Sequence, residues 1–235
     1  MRKYFFITGF ILICLILGSI FYVSYFGIKT DNFNNFINNK IKNYDSRMYL
    51  DLGDVFLKLN IKELSVKVNT KNTKLFLEDS KIEINNIDIY LNLKNFLEDK
   101  NSIKKIQIIT AENKLKNITE FLNSIKFNFS RSLIYSQIKD GSIEAVVNIF
   151  FEDKKENIFS YDLIGKVKNT NFNLIGSSDL NKINFSFDIK KNFYTFSNIS
   201  FEFQNTKYRS DKVIIDDKNG NLRVKGDFEN KKNLI

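Results

Sequence analysis

The side chains with the right types and spacing for acid–base chemistry in this 235-residue chain are three adjacent carboxylate pairs, Glu78/Asp79, Glu152/Asp153 and Asp216/Asp217. Two neighbouring carboxyls divide into proton donor and proton acceptor only where burial or mutual repulsion pushes their proton affinities apart. Each pair falls beside an expected turn, so all three are expected to be solvated loop charges. The rest of the catalytic inventory is bare. The chain has no histidine, and its single cysteine, Cys14, sits inside an uncharged apolar run. No G-x-S-x-G, phosphate-cradling glycine loop or spaced metal-ligand set occurs in the sequence. The expectation is a protein that works without an enzymatic step, a metal or an organic cofactor.

What the sequence spaces regularly is apolar. Val55, Leu57, Leu59 and Ile61 occupy alternate positions, and Leu64, Val66 and Val68 continue in the opposite phase. Ile82 and Ile84 are followed, again with a change of phase at Asn85 and Asn86, by Ile87, Ile89, Leu91 and Leu93. Later come Phe185, Phe187 and Ile189, then Ile199, Phe201 and Phe203. A period of two means strands with one apolar and one polar face, and each change of phase predicts a bulge or turn. Such alternation favours antiparallel pairing, because parallel strands buried on both faces read as unbroken apolar runs. An apolar sheet face must be covered by another sheet, by helices or by a ligand. A sheet that curls incompletely leaves a groove lined by these residues and suited to acyl chains. The pattern leaves open the alternative of a sandwich closed on a dry core.

Helical periodicity appears in two places. Thr30 or Asp31 can cap a helix to about Tyr44 that carries Phe33, Phe36, Ile37, Ile41 and Tyr44 on one face. That face is expected either at the membrane surface, with Phe33, Phe36, Ile37 and Ile41 in contact with it, or packed on the sheet. Asn117 can cap a second amphipathic helix with Ile118, Phe121, Leu122 and Ile125, and a short helical turn is expected over Asn95 to Lys100. Strands are predicted over 103–109, 143–151, 159–168, 171–175, 183–189, 193–203, 207–215 and 221–228. The dipeptides Asp140-Gly141 and Asn219-Gly220 are expected turns.

These elements follow Tyr4 to Gly27, a stretch with no charge. As a helix it would measure ~36 Å, enough to cross a hydrocarbon core of ~30 Å. It exceeds the usual signal-peptide core and lacks a small-residue cleavage site, so an uncleaved signal anchor is expected. The main body is then expected outside the cytoplasm. The division expected is a cytoplasmic tail at 1–3, an anchor at 4–27, an amphipathic helix at 28–45 and a β-domain at 46–235. The net charge of +9 comes from Lys in a composition rich in Asn, Ile and Phe, with Ala only at 111 and 145. That usage reflects an AT-rich genome, and the lysines alternate with acids and amides rather than clustering. Nucleic acid is therefore not an expected partner.

The order of parts resembles the N-terminal region of the AsmA-like family: a short basic tail, one anchor, the helix with Phe33, Phe36 and Ile37, a first strand reaching Gly53-Asp54, the stretch LNLKNFLEDKNSIKKIQI at 91–108, and then meandering β-structure. This group includes AsmA, TamB and YhdP and is similar in fold to the chorein-type bridge proteins. The resemblance implies a single-pass inner-membrane protein with its bulk in the periplasm and a taco-like β-groove. It further implies a role in passing phospholipid or another acyl lipid during outer-membrane biogenesis, with an envelope protein as a further partner. Members of the family are often several times longer, which makes this chain a short groove or the first segment of one. The alternatives are an LptC-like anchored jellyroll, which lacks the helix after the anchor, and a non-transporting scaffold of an envelope complex.

Overall fold

The computed structural model describes residues 2–30, 32–78, 80–94, 103–125, 129–152, 155–174, 179–218 and 221–231. The chain begins with helix α1 (Arg2–Tyr25). It continues through β1 (Ile28–Lys29), α2 (Asn32–Tyr44), β2 (Met48–Asp51), β3 (Asp54–Asn60), β4 (Ser65–Leu77), β5 (Ser80–Asn92), β6 (Ile103–Thr110) and β7 (Asn113–Lys114). Helices α3 (Leu115–Ile125) and α4 (Phe129–Gln137) precede β8 (Ile138–Glu152) and β9 (Lys155–Asn173). The last strands are β10 (Asp179–Lys190), β11 (Phe193–Phe203), β12 (Thr206–Lys218), β13 (Asn221–Gly226) and β14 (Glu229–Lys231). All fourteen strands belong to one open, curved, antiparallel sheet with the path β1-β3-β4-β5-β6-β8-β9-β10-β11-β12-β13. Strands β2, β7 and β14 extend it by pairing with β4, β8 and β12.

Helix α1 is long and apolar enough to span a membrane, with a mean hydropathy of 2.5 over Phe6–Tyr25 and no part of that stretch buried against the rest of the chain. It ends at Tyr25, two residues before Gly27, whose φ of +78° suits a residue without a Cβ just past a helix terminus. A Cβ there would lie 2.8 Å from Cγ of Lys58. The chain then enters the sheet at once, as Ile28 and Lys29 pair with Leu57 and Phe56 and the Thr30 amide donates to the Val55 carbonyl.

The change of phase at Lys62 and Glu63 is the turn between β3 and β4, and that at Asn85 and Asn86 is a register shift between β5 and β6. Further slips fall at residues in the left-handed region: Gly141 in β8, Asn169 in β9, Lys182 in β10 and Asn198 in β11. In β8 to β11 they fall on successive neighbours. Amide side chains stitch them together: Asn171 donates its backbone N–H and Nδ2 to Asp140, the Asn169 amide donates to Oδ1 of Asn184, and the Lys182 amide donates to Oδ1 of Asn171. Each slip inserts one residue and so reverses the alternation. The apolar set therefore stays on one face, running through Tyr194 and Phe196 and then Ile199, Phe201 and Phe203.

Three sequence expectations change here. Asp140-Gly141 is not a turn but lies inside β8, where Gly141 has φ +119°. The segments expected as separate strands at 159–168 and 171–175 form one strand, β9, bent at Asn169 and described as far as Asn173. A further helix, α4, follows α3 and packs against it. The helical turn expected at Asn95 to Lys100 and the Asn219-Gly220 turn lie outside the described residues. The tight turn between β11 and β12 is instead made by Gln204 and Asn205, both with positive φ, as a type I′ hairpin requires.

Candidate functional site

Cross-strand partners share a face, so the register traces an unbroken apolar stripe. It begins with Leu57, Val68, Ile89, Ile106, Ile149 and Tyr161 across β3 to β9, each paired with the next. It continues through Leu163, Ile189, Tyr194, Ile215 and Val224 across β9 to β13. What covers the stripe differs between its two halves.

In the first half the candidate lining residues Val55, Ile82, Ile84, Ile87, Ile89 and Leu91 are buried, and Leu57, Leu59 and Leu93 pack against them. The cover is helical. Ile37 of α2 belongs to this core and Ile41 packs on it, as do Phe121, Ile118 and Ile125 of α3. The positions expected at the membrane surface therefore divide: Ile37 and Ile41 face the sheet, while the side chains of Phe33 and Phe36 lie outside the described set. Polar ties lock this arrangement. The Leu50 amide donates to Oδ1 of Asn38, and Arg47 donates to Asp45, to Glu78 and to the Ser124 carbonyl at the end of α3. The hydroxyls of Thr70 and Thr73 hydrogen-bond each other at 2.8 Å inside the core, where Thr70 also accepts from the Ile87 amide.

In the second half the cover is missing. The helices pack chiefly against β2, β3, β5, β7 and β8, and among the described residues none packs extensively on β10 to β13. Phe185, Ile189, Ile199, Phe201 and Phe203 are half-buried, while Phe187 is buried. The Phe187 ring lies over Gly165, where a Cβ would come within 2.5 Å of its Cζ. Phe185 meets Phe196 edge-on at 5.8 Å, and Phe201 stacks on Tyr208 at 5.2 Å and touches Phe228 at 6.1 Å. Exposure rises toward the last strand, reaching 67 % at Leu222 and 65 % at Val224. Reading for alternation found the phenylalanines of β10 and β11. It passed over Leu163, Tyr194, Phe196, Val213, Ile215, Leu222 and Val224, which only the register aligns with them.

Glu78 makes an ion pair with Arg47 at 3.0 Å, and Asp216 stands opposite Arg223 in the ladder. Asp79 and Asp153 are outside the described residues. Asp45 is held below the usual carboxyl range by hydrogen bonds from the Arg47 side chain and amide. Glu112 is lowered first by the Ser142 hydroxyl and then by Lys168, and Glu83 by Lys81. These are surface ion pairs. Among the described residues no group of three or more acidic or sulfur side chains is placed to hold a metal ion. No family model, curated protein or solved structure matches the chain, so its functional reading rests on the geometry of this apolar face.

Proposed function

We propose that this is an inner-membrane-anchored, AsmA-like protein whose β-domain lies in the periplasm and holds the acyl part of a lipid on the uncovered apolar face of β9 to β13. The observation that carries the reading is the asymmetry of cover: one continuous stripe, dry under helices at the anchored end and bare at the other. Soluble domains rarely leave a large contiguous apolar patch open unless something binds there. Five strands at ~4.8 Å spacing extend about 19 Å, comparable with the ~15 Å depth of one leaflet's hydrocarbon. Shielding about ten methylenes would contribute roughly 8 kcal/mol before the costs of ordering the ligand. The α2 helix directly after the anchor and the single open sheet favour this reading over a two-sheet LptC-like jellyroll.

The test uses photoreactive residues incorporated singly at Phe201, Phe203, Ile87 and Ile89 of the full-length protein in native membranes. Crosslinks to phospholipid acyl chains are expected from 201 and 203 and not from the helix-covered 87 and 89. Crosslinks from 201 and 203 to a protein alone would replace lipid handling by the scaffold reading. Equal lipid labelling at all four positions would refute the division of the face.

A further inference from the structure

The opposite, largely polar face of the sheet carries a cleft of ≈ 420 Å³. Its size falls in the range of small-molecule sites. Its floor is a row of three apolar side chains in register, Ile109 on β6, Val146 on β8 and Ile164 on β9. Polar rows flank them: Gln107, Asn148 and Asp162 on one side, and Glu144, Lys166 and Ser186 on the other. Branched apolar residues on a solvated face can serve strand propensity alone. Here, however, they line a concavity, and Ile164 is 46 % exposed.

The row ends at Asp188 on β10, directly opposite Ile164. Asp188 lines the cleft with its side chain 42 % exposed; Oδ1 is turned away from solvent, and the exposed Oδ2 meets Lys190 at 3.5 Å. That long ion pair leaves Oδ2 with acceptor capacity for a ligand cation with N–H groups entering the cleft. The two ends of the row thus specify complementary halves of one molecule, an apolar body about 10 Å long across three strands and a cationic head.

We infer that this cleft is a binding site for a small apolar amine, whose ammonium pairs with Asp188 and whose hydrocarbon lies on Ile109, Val146 and Ile164. The site is on the other face from the proposed acyl surface and is independent of it.

The experiment titrates full-length protein in nanodiscs, with isoleucine methyls labelled for NMR, with n-hexylammonium, hexanoate and hexanol. Saturable shifts of the Ile109 and Ile164 methyls are expected with hexylammonium, at least tenfold tighter than with either of the other two. Asp188→Asn, nearly isosteric, should weaken hexylammonium binding at least tenfold. Ile164→Phe should block the cleft without lowering the melting temperature. Phe201→Ala, on the opposite face, should leave the titration unchanged, so failure of the acyl reading and failure of this one are separately visible. Non-saturable shifts, tighter binding of hexanoate, or unchanged affinity in Asp188→Asn would overturn the inference.

Discussion

Ile89→Ala and Leu222→Ala remove the same three carbons from the same face of the same sheet, and the structure requires very different outcomes. Ile89 is 8 % exposed beneath helices, whereas Leu222 on the last long strand is 67 % exposed. Truncating a buried Ile or Leu to Ala typically costs about 2–5 kcal/mol, through lost transfer energy and the residual cavity. Full burial of such a side chain contributes about 1.5–3 kcal/mol, so the third of Leu222 that is hidden accounts for roughly 0.5–1 kcal/mol. At about 2–4 °C per kcal/mol for a domain of this size, Ile89→Ala should lower the melting temperature by about 4–20 °C and Leu222→Ala by about 1–4 °C. The assay is thermal unfolding of the full-length protein in nanodiscs, followed by far-ultraviolet circular dichroism. Nanodiscs are preferred to detergent micelles because detergent tails would themselves occupy an exposed apolar face. Crosslinking of phospholipid from a photoreactive residue at Phe201 in native membranes should fall for Leu222→Ala and hold for folded Ile89→Ala. A Leu222→Ala variant as destabilised as Ile89→Ala would refute the reasoning, because it would mean that the last strands are covered in the folded protein.

Gly141→Ala should cost about 2–4 kcal/mol in urea unfolding, since φ is +119° and a Cβ would lie 2.8 Å from Cα of Thr170. At Asn198, with φ +54°, replacement by Gly should be close to neutral, whereas Val should destabilise by about 1–2 kcal/mol or more; equal melting temperatures for the two would remove the left-handed slip from the account of β11. The folded-state pKa of Glu112 lies below its ordinary value because the Ser142 hydroxyl and Lys168 favour the carboxylate. Its contribution to stability is thus present above the ordinary glutamate range and lost as pH falls through the lowered value. The urea midpoint of the wild type should drop more between about pH 7 and pH 3 than that of Glu112→Gln; parallel curves would count against the interaction. Thr70→Val should destabilise by about 1–3 kcal/mol in thermal melts, because the buried Ile87 amide loses its acceptor, and a fully neutral result would mean that the amide finds another.

Much of the fold was legible because alternation survives in short runs. Phe193 to Phe203 was bounded correctly, and the alternation of 82–84 and 87–93 located both β5 and its irregularity. What misled was asparagine. In Lys168-Asn169-Thr170-Asn171 the residues are those of a turn, yet the chain runs through them as one bent strand, because Asn tolerates the left-handed conformation that a bulge needs. Asp140-Gly141 misled for the same reason. The short helix α4 has a polar, weakly periodic sequence, FSRSLIYSQ, and offered no pattern to read. The candidate site was legible as residues and not as a site. Ile89 and Phe201 carry the same alternation signal, and only helix placement and register distinguish a core position from an open one. Nothing in one-dimensional spacing announced the second cleft, since Ile109, Val146 and Ile164 become neighbours only when three strands are aligned.

The direct entry of the chain from Gly27 into β1 has a mechanical consequence. With no linker between helix α1 and the first sheet edge, the sheet has no swivel at its base, and strand order becomes a scale of distance from that helix. Six steps of ~4.8 Å place β9 about 29 Å along the sheet from the β1 edge, and ten place β13 about 48 Å away. The helix-covered strands between them act as a stiff spacer. Whatever rests on the bare strands is held off helix α1 by a fixed number of hydrogen-bonded rungs, and its reach is set by counting strands rather than by the length of a tether.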